Sequence, residues 1–341
     1  MNRTRNLLLG LALSAIFLWF ALRGLDWQNV LQTLRTARWG FLLLAMLIWS
    51  LGLGTRALRW RALLGGQVRP AVSFHVLNIG FLLNNTLPFR AGELARAYLI
   101  GRDSPTISGW GALTTIVTER IVDMLTVLLL LISVLPTLVV DEAALGGSLI
   151  MGLVAVTSFA VLLLFAHRPA LAHALLDAVL RMLPFLKRFN LRGLLDRILA
   201  GLKPITRWET LLRVAGWTAV SWLLSVVGSW VLAMAFPALP QTPVMRAALT
   251  LSIVAASFSI MIPFTLASVG PFEAAAIFAL LTAGVPQEVA AAYAVVWHAG
   301  TVLVYALWGA VGILNVGLSL EQIRQGAASL RQSSAPGQRP D

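Results

Sequence analysis

A polar, helix-breaking stretch at residues 84–93 constrains this chain most, because it interrupts an apolar segment whose two arms are each too short to cross a bilayer. The first arm covers residues 71–83 and the second ends by Arg102, whereas a spanning helix needs about 20 apolar residues. Pro88 removes a backbone donor and disfavours helical geometry at the preceding residue. The stretch therefore predicts the tip of a re-entrant hairpin whose polar groups face a protein interior or a watery cavity.

A second copy of this pattern lies far downstream. Residues 263–273 repeat the order Pro-Phe, loop, Gly, Glu of residues 88–93, and an Ala-rich short helix follows in both places. The spacing from Pro to Glu is 10 residues in this copy and 5 in the first. Paired broken segments in two halves of a chain are typical of transporters built from inverted repeats. We therefore predict repeat halves at about 39–166 and 214–318.

Composition decides the class of protein. Of the 341 residues, 58% are hydrophobic and only 12% are charged, which is far more apolar than a soluble domain. The chain is therefore predicted to be an all-α polytopic membrane protein. Its net charge of +12 fits the positive-inside rule and anionic head groups, so no nucleic-acid partner is expected. The absence of Cys excludes disulfides and thiolate metal sites.

The lengths of the apolar segments and the distribution of basic residues predict six spanning helices, at residues 7–22, 39–58, 107–139, 149–165, 214–236 and 289–318. The first hairpin, 71–101, lies between arginine-rich loops, whereas the second, 247–283, lies between loops with few charges. The two hairpins are therefore predicted to enter from opposite sides, as an inverted repeat requires. This topology places both termini in the cytoplasm and the protein in the inner (cytoplasmic) membrane.

Two polar regions lie outside the predicted spans and hairpins. In residues 167–213, apolar side chains recur at helical spacing between Arg and Asp, which predicts two amphipathic helices on the inner leaflet. Residues 319–341 are rich in Ser, Gln, Pro and Gly and are predicted to be a largely disordered cytoplasmic tail. Residues 1–318 are predicted to form one transmembrane domain. Arg56, Arg59 and Arg61 are interpreted as a basic cluster at the exit of the second span.

The two hairpins carry candidate anion-binding groups. The short helices that begin near Gly92 and Pro271 would point their positive dipole ends toward the middle of the membrane, where they attract anions. Arg90 and Arg96 add permanent positive charge, for which a phosphate head group is the natural partner in a lipid environment. Glu93 and Glu273 either bind a ligand or proton or merely cap their own helices, and the sequence favours neither reading. Asn84 and Asn85 are expected to face an interior site together with Arg90 and Glu93. His75, Asn78 and Asn85 fall on one stripe of the leading arm and either line the cavity or bond the interrupted backbone.

The two long helices carry further charged or titratable residues. Arg120 and Asp123 are spaced to pair on one helix, and Glu119 shares a face with Asp123. One interpretation is a structural ion pair that fixes this helix to the first hairpin through Arg90 or Arg96; the other is a charge relay that changes partners as substrate passes. His298 lies at roughly the corresponding depth of the second half and is either a packing residue or a proton-coupling residue.

The sequence resembles a known family, the lysylphosphatidylglycerol synthase transmembrane region, also called flippase-like domain proteins. The residues that carry the resemblance, in this order, are Leu87, Pro88, Arg90, Gly92, Glu93, Arg96, Glu119, Arg120, Asp123, Pro263, Gly270 and Glu273. The family includes the membrane half of the bacterial multiple peptide resistance factor, which flips aminoacylated phosphatidylglycerol, and stand-alone members linked to hopanoid, polyprenol-phosphate or glycolipid pathways. The resemblance implies a stand-alone lipid translocase.

The chain departs from the family pattern in two ways. The aminoacyl-transfer domain of the resistance factor has no counterpart in these residues, so lysyl-lipid synthesis is not expected. Ser268-Val269-Gly270-Pro271 replaces the commoner Gly-Gly-Leu-Gly before the Glu, which leaves the substrate of this branch open.

The function expected from these observations is movement of an anionic or polyprenyl-phosphate-linked lipid between leaflets. Zinc-protease, P-loop and nucleophile-elbow motifs are missing, and no cofactor, metal or catalytic residue is predicted. The alternatives are a membrane-embedded glycosyl or lipid-modifying transferase that uses a carboxylate as base, and an accessory subunit that recruits a lipid-pathway enzyme through residues 167–213. The residues predicted to bind substrate are Asn84, Asn85, Arg90, Glu93, Arg96, Glu119, Arg120, Asp123, Glu273 and His298.

Overall fold

The structure is a computed structural model that describes residues 15–19, 22–87, 90–104, 107–138, 168–183, 191–260 and 267–316, together with single positions between 153 and 167. Within these residues the secondary structure is helical and includes no strand, which confirms the all-α prediction. The α-helices are, in chain order, α1 Trp27–Arg35, α2 Trp39–Leu63, α3 Pro70–Thr86, α4 Ala91–Asp103, α5 Gly109–Val134, α6 Pro169–Met182, α7 Leu191–Leu202, α8 Trp208–Ala233, α9 Pro243–Ile260, α10 Pro271–Leu281 and α11 Gln287–Val316.

Helices α2, α5 (with the 3₁₀ turn that extends it to Thr137), α8 and α11 are long and apolar enough to cross a membrane. They have 25, 26, 26 and 30 residues, more than the roughly 20 that a span needs. They correspond to four of the six predicted spans. The other two predicted spans, 7–22 and 149–165, fall largely outside the described residues, as do the predicted tail and residues 88–89 and 261–266 of the two Pro-Phe motifs.

The shorter helices between the long ones form two helical hairpins. The first hairpin consists of α3 and α4, with 17 and 13 residues, and the second of α9 and α10, with 18 and 11 residues. Proline is the first residue of α3, α9 and α10, where its fixed φ suits a helix start and its missing N–H leaves no bond unmade. Each hairpin is followed by a long helix, α5 and α11 respectively.

Each of the long helices α5 and α11 packs on both hairpins. Helices α2 and α8, which precede the two hairpins, pack along each other. Helix α5 contacts the trailing arm of its own hairpin and the leading arm of the other one, α9, and α11 in the same way contacts α10 and α3. The tips of both hairpins are consequently held against both long helices.

Two glycines let the arms of the first hairpin touch through their backbones. A Cβ built at Gly92 on α4 would overlap the carbonyl of Gly80 on α3, and a Cβ at Gly80 would overlap the side chain of Arg96. Small residues of this kind permit the close helix contacts that membrane proteins use. The second hairpin reaches a similar closeness with Ser252, whose hydroxyl donates to the carbonyl of Ala276 at 3.4 Å.

The two predicted amphipathic helices are present as α6 and α7. Helix α7 packs on α5, and both helices contribute to a small buried cluster with Leu63 and Val214, through Ala172 on α6 and Leu202 on α7. Leu171, Leu175, Met182 and Ile198 remain exposed. Their exposure leaves an apolar face on this pair of helices.

Candidate functional site

A cavity of about 400 Å³ lies where the two hairpin tips meet the long helices. All four long helices and both hairpins contribute to its wall. Its polar wall residues are Arg56, Asn84, Asn85, Arg90, Glu93, Arg120, Asp123, Ser225, Ser257, Ser268, His298 and Thr301. Apolar side chains such as Trp49, Phe81, Phe272 and Trp297 cover the rest. An apolar pocket with a few convergent polar groups is the usual form of a ligand site.

At the tip of the first hairpin, two arginine side chains approach the same carboxylate oxygen of Glu93. Arg120 on α5 donates from Nε and Nη2 to Oε1 of Glu93, at 3.1 and 2.7 Å, and Nε of Arg90 lies 3.0 Å from the same oxygen. Arg90 precedes α4 in a left-handed conformation, with φ of 52°. Among the described residues, two permanently charged guanidinium groups therefore meet this one carboxylate.

The interrupted backbone of this hairpin is bonded by an asparagine. The N–H of Gly92 donates to Oδ1 of Asn84 at 2.9 Å, which satisfies one of the free donors at the start of α4. Asn85 lines the cavity and donates to the carbonyl of Phe81, and Asn78 donates to the carbonyl of Phe74 within the same helix. The backbone-bonding role, which the sequence offered to His75, Asn78 or Asn85, thus falls to Asn84 instead.

A buried ion network lies behind the first tip. Arg59 on α2 donates to both carboxylate oxygens of Asp123, at 2.6 and 3.1 Å, and lies 3.6 Å from Glu119. Arg96 on α4 donates to Glu119 at 2.8 Å, and its guanidinium lies 4.2 Å from the ring of Trp60. The prediction that an ion pair fixes the long helix to the first hairpin is confirmed through Arg96. The predicted local pair of Arg120 and Asp123 is replaced by pairs between helices, because Asp123 faces Arg59 on α2 and Arg120 faces Glu93 on α4.

Arg56 on α2 has no carboxylate within ion-pair distance among the described residues. Its guanidinium lies 3.4 Å from the hydroxyl of Ser225 and 5.9 Å from the ring centre of Trp222, and it lines the cavity. The indole N–H of Trp222 donates in turn to Asp123 at 3.0 Å. In the described part of the chain, the charges of the first tip and its network are Arg56, Arg59, Arg90, Arg96 and Arg120 against Glu93, Glu119 and Asp123. This balance leaves an excess of two positive charges.

The tip of the second hairpin carries a different arrangement. Oε2 of Glu273 accepts from the N–H of Gly270 at 2.7 Å, so the predicted capping role is confirmed for this residue. Its other oxygen, Oε1, lies 2.6 Å from Nδ1 of His298 on α11. Nε2 of the same ring lies 2.9 Å from the carbonyl oxygen of Ala267, and the ring stacks on Phe272 with centroids 4.3 Å apart.

The two carboxylates occupy the same position in the two hairpins. Glu93 and Glu273 are each the third residue of a short helix. Each pairs with a basic residue on the long helix that follows: Glu93 with Arg120, and Glu273 with His298. The residues before both helices have positive φ, 52° at Arg90 and 96° at Gly270. The correspondence is thus geometric as well as sequential.

Of the ten predicted substrate-binding residues, the structure brings seven to the cavity wall: Asn84, Asn85, Arg90, Glu93, Arg120, Asp123 and His298. It places Arg96 and Glu119 in the buried network and Glu273 behind His298. The sequence interpretation missed Arg56 and Arg59, which it assigned to the exit of a shorter helix. Helix α2 instead continues to Leu63, and both arginines point into the protein. Asp123 and Thr218 accept hydrogen bonds from Arg59, and Ser225 accepts one from Arg56.

Within the described ranges, no three His, Asp or Glu side chains come together as metal ligands would.

Comparison with known proteins gives one family. The sequence model of the family described as the lysylphosphatidylglycerol synthase TM region matches residues 7–309. No curated protein matches the chain.

Proposed function

The chain belongs to the lysylphosphatidylglycerol synthase transmembrane-region family, and on that premise we propose that it is a membrane translocase for an anionic or polyprenyl-phosphate-linked lipid. The lipid's phosphate would bind in the cavity between the hairpin tips while its acyl or prenyl chains stay in the membrane. The family match supports a multi-pass membrane protein associated with lipid modification or transport. The more specific claim, that the protein moves a lipid, is argued from the cavity.

The observation that carries the proposal is the position of Arg56, a cavity arginine that has no carboxylate within ion-pair distance among the described residues. Arginine charges away from water need an opposite charge, and here two arginines share Glu93 while Arg56 contacts only a hydroxyl and an aromatic ring among the described groups. Arginine binds phosphate through paired hydrogen bonds. A lipid phosphate between Arg56 and Arg120 would supply the missing negative charge and would compete with Glu93 for its two arginines.

The proposed topology is an inverted repeat of re-entrant hairpins. Helices α4 and α10, with 13 and 11 residues, are shorter than a span. Helix α5 contacts the leading arm of the second hairpin and α11 contacts that of the first, and this reciprocal packing supports a repeat relation between the two halves. With 7–22 and 149–165 as further spans, both termini would be cytoplasmic. The exposed apolar faces of α6 and α7 would then lie on the inner leaflet.

Movement would proceed by alternating access. Both hairpin tips line the cavity, so opening either hairpin toward its own leaflet would admit or release a lipid. Backbone interrupted at this depth is tolerated because it lines a cavity rather than lipid. Residues 1–318 would act as one unit in this motion, and residues 319–341 would lie outside it.

The test is reconstitution into liposomes with fluorescent phosphatidylglycerol in both leaflets, in which dithionite bleaches only the outer leaflet. Wild type is expected to expose the inner label, and Arg56→Gln to slow this about 10- to 100-fold, because hydrogen bonds to a charged group contribute about 1.5–3 kcal/mol each. Arg61→Gln is the matched control, since Arg61 lies on the same helix but donates to the carbonyls of Val68 and Gly66.

Equal exposure in wild-type and protein-free liposomes would contradict the proposal. A labelled product that differs from the added lipid would identify a transferase instead. Mass spectrometry of lipids that co-purify with the protein would name the substrate class, and loss of their anionic component in Arg56→Gln would assign it to this cavity.

A further inference from the structure

The imidazole of His298 lies between two hydrogen-bond acceptors. Nδ1 lies 2.6 Å from Oε1 of Glu273, and Nε2 lies 2.9 Å from the carbonyl oxygen of Ala267. Both side chains are almost fully buried, with 8% of each exposed. Since His298 also lines the cavity, a proton can reach it from there.

Counting hydrogens shows what this geometry requires. A carbonyl only accepts, so the contact to Ala267 needs a hydrogen on Nε2. The contact to Glu273 needs a second hydrogen, either on Nδ1 of an imidazolium or on a neutral carboxyl group. The observed pair of contacts therefore holds two protons. After loss of one proton the single remaining N–H can satisfy only one of the two acceptors, and the other contact sets a lone pair against an oxygen.

These contacts tie down a strained loop. Ala267 and Ser268 both adopt left-handed conformations, with φ of 50° and 61°, which residues with a Cβ rarely occupy. His298 holds the first residue of this loop through its carbonyl, and Glu273 holds the last through the N–H of Gly270 at 2.7 Å. Such conformations persist only where the surroundings hold them. Loss of the proton would remove one of these two restraints.

We propose that Glu273 and His298 form a proton-binding site whose occupancy fixes or releases the loop at residues 267–270, and with it the second hairpin tip. The bound proton moves between Nδ1 of His298 and Oε1 of Glu273 and leaves to water in the cavity. Each proton that leaves lowers the net charge of the pair by one. The proton site stands on this geometry alone, whereas its coupling to lipid movement rests on the translocase function proposed above.

The neighbouring charges belong to the opposite side of the cavity. The charged groups that share the cavity with His298 are Arg56 on α2, Arg90 and Glu93 at the first hairpin, and Arg120 and Asp123 on α5. From α3, α8 and α9 the wall receives Asn84, Asn85, Trp222, Ser225 and Ser257, which do not titrate near neutral pH. In the described part of the chain, ion pairs of Glu273 and His298 are confined to the two residues themselves. A bound phosphate would place a negative charge in the same cavity and would favour the protonated state.

The chain has no cysteine, so a single spin label can report on the loop. Val269→Cys places the label at a residue with 36% exposure inside the loop. In nanodiscs, spectra recorded from about pH 5 to about pH 8 are expected to show an immobilised label at the low end and a mobile label at the high end. The same label at Thr86→Cys, near the first tip, is the matched control and is expected to show no change over this range.

Two variants and one direct measurement make the test decisive. His298→Gln is expected to leave the Val269→Cys label without pH dependence, as is Glu273→Gln. Both variants remove a buried hydrogen-bonding group, so the protonation state is also followed with the pair intact, by ¹⁵N NMR of a variant in which His75, His167 and His173 are replaced by Gln. Two protonated ring nitrogens, or one together with a protonated Glu273 carboxyl, are expected at low pH, and one proton fewer at high pH.

A label at Val269→Cys with the same mobility throughout this range, or a pH response that survives in His298→Gln, overturns the proton site. The liposome assay separates the two proposals. A pH-dependent loop without lipid movement retains the proton site and rejects the translocase, whereas lipid movement with equal pH profiles in wild type and Glu273→Gln rejects the coupling alone.

Discussion

The two hairpin tips present the same carboxylate position with different partners. Glu93 is 23% exposed and meets two arginines, Arg90 and Arg120, that stay charged at any pH, whereas Glu273 is 8% exposed and meets one histidine. The first tip therefore keeps a fixed positive charge, and the second holds a charge that follows its proton. Under the function proposed above, this difference suits one tip to bind an anion and the other to bind and release a proton.

The surroundings of the tips differ in the same sense. The first rests on buried ion pairs, in which Glu119 is shared by Arg96 and Arg59. The second rests on aromatic rings: Phe272 lies 4.7 Å from Trp297 and 4.3 Å from His298, centroid to centroid. Buried ion pairs tolerate little change in geometry because each charge needs its partner. Apolar contacts are not directional, which suits a tip that has to move.

The largest effect is expected where the ion network of the first tip is broken. Among the described residues, Glu119→Leu leaves Arg96, which is 2% exposed, without a carboxylate within ion-pair distance, and it removes one of the two carboxylates near Arg59. Removing one partner of a buried pair destabilises a protein by about 3–5 kcal/mol. Thermal unfolding in detergent measures this, with Glu288→Leu at the start of α11 as the control that removes the same charge. A shift no larger than that of the control would show that the first tip does not depend on its network.

The next effect concerns competition for the arginines of the first tip. Glu93→Gln removes the carboxylate that a lipid phosphate has to displace from Arg90 and Arg120. We expect about 10- to 100-fold tighter retention of anionic lipid, since hydrogen bonds to charged groups contribute about 1.5–3 kcal/mol each. Native mass spectrometry of the purified protein measures the retained lipid. Glu273→Gln is the matched variant at the other tip, and an equal gain there would abolish the distinction between the tips.

A smaller effect is expected from giving the first tip a titratable partner. Arg120 is 37% exposed, so Arg120→His can be accommodated. The positive charge at this position would then be present at low pH and lost as pH rises through the range of histidine titration. Anionic lipid binding at pH 5 is expected to exceed that at pH 8 by about tenfold, equivalent to about 1.4 kcal/mol. Arg120→Lys, which stays charged, should show no such ratio, and a flat profile for the histidine variant would argue against a phosphate near residue 120.

Much of this arrangement was predictable from the sequence, because the features that mark a hairpin tip are local. A helix-breaking polar stretch between short apolar arms identifies residues 84–93, and the charged positions 93, 120 and 273 follow from their unusual depth. The partners were not predictable, because they depend on how the long helices are rotated. Arg59 at the end of an apolar helix reads as a membrane-interface residue, and only the position of Asp123 on α5 shows that it is buried.

The smallest effect compares two hydrogen bonds of α8, one to the carboxylate of Asp123 and one between two hydroxyl groups. Trp222→Phe removes the indole N–H that donates to Asp123 at 3.0 Å, and Tyr293→Phe removes the hydroxyl that lies 2.6 Å from Ser229. Tyr293→Phe keeps the whole ring, so its loss of stability is expected to be about 1 kcal/mol. Trp222→Phe is expected to lose somewhat more, because it also removes the second ring and its bond is to a charged carboxylate. Their effects on function should differ more clearly, because Trp222 lies under the guanidinium of Arg56 in the cavity, whereas Tyr293 is buried away from it. Unfolding should therefore shift in both variants while the liposome assay slows only for Trp222→Phe. Equal slowing in both would mean that the assay follows stability rather than the charged tip.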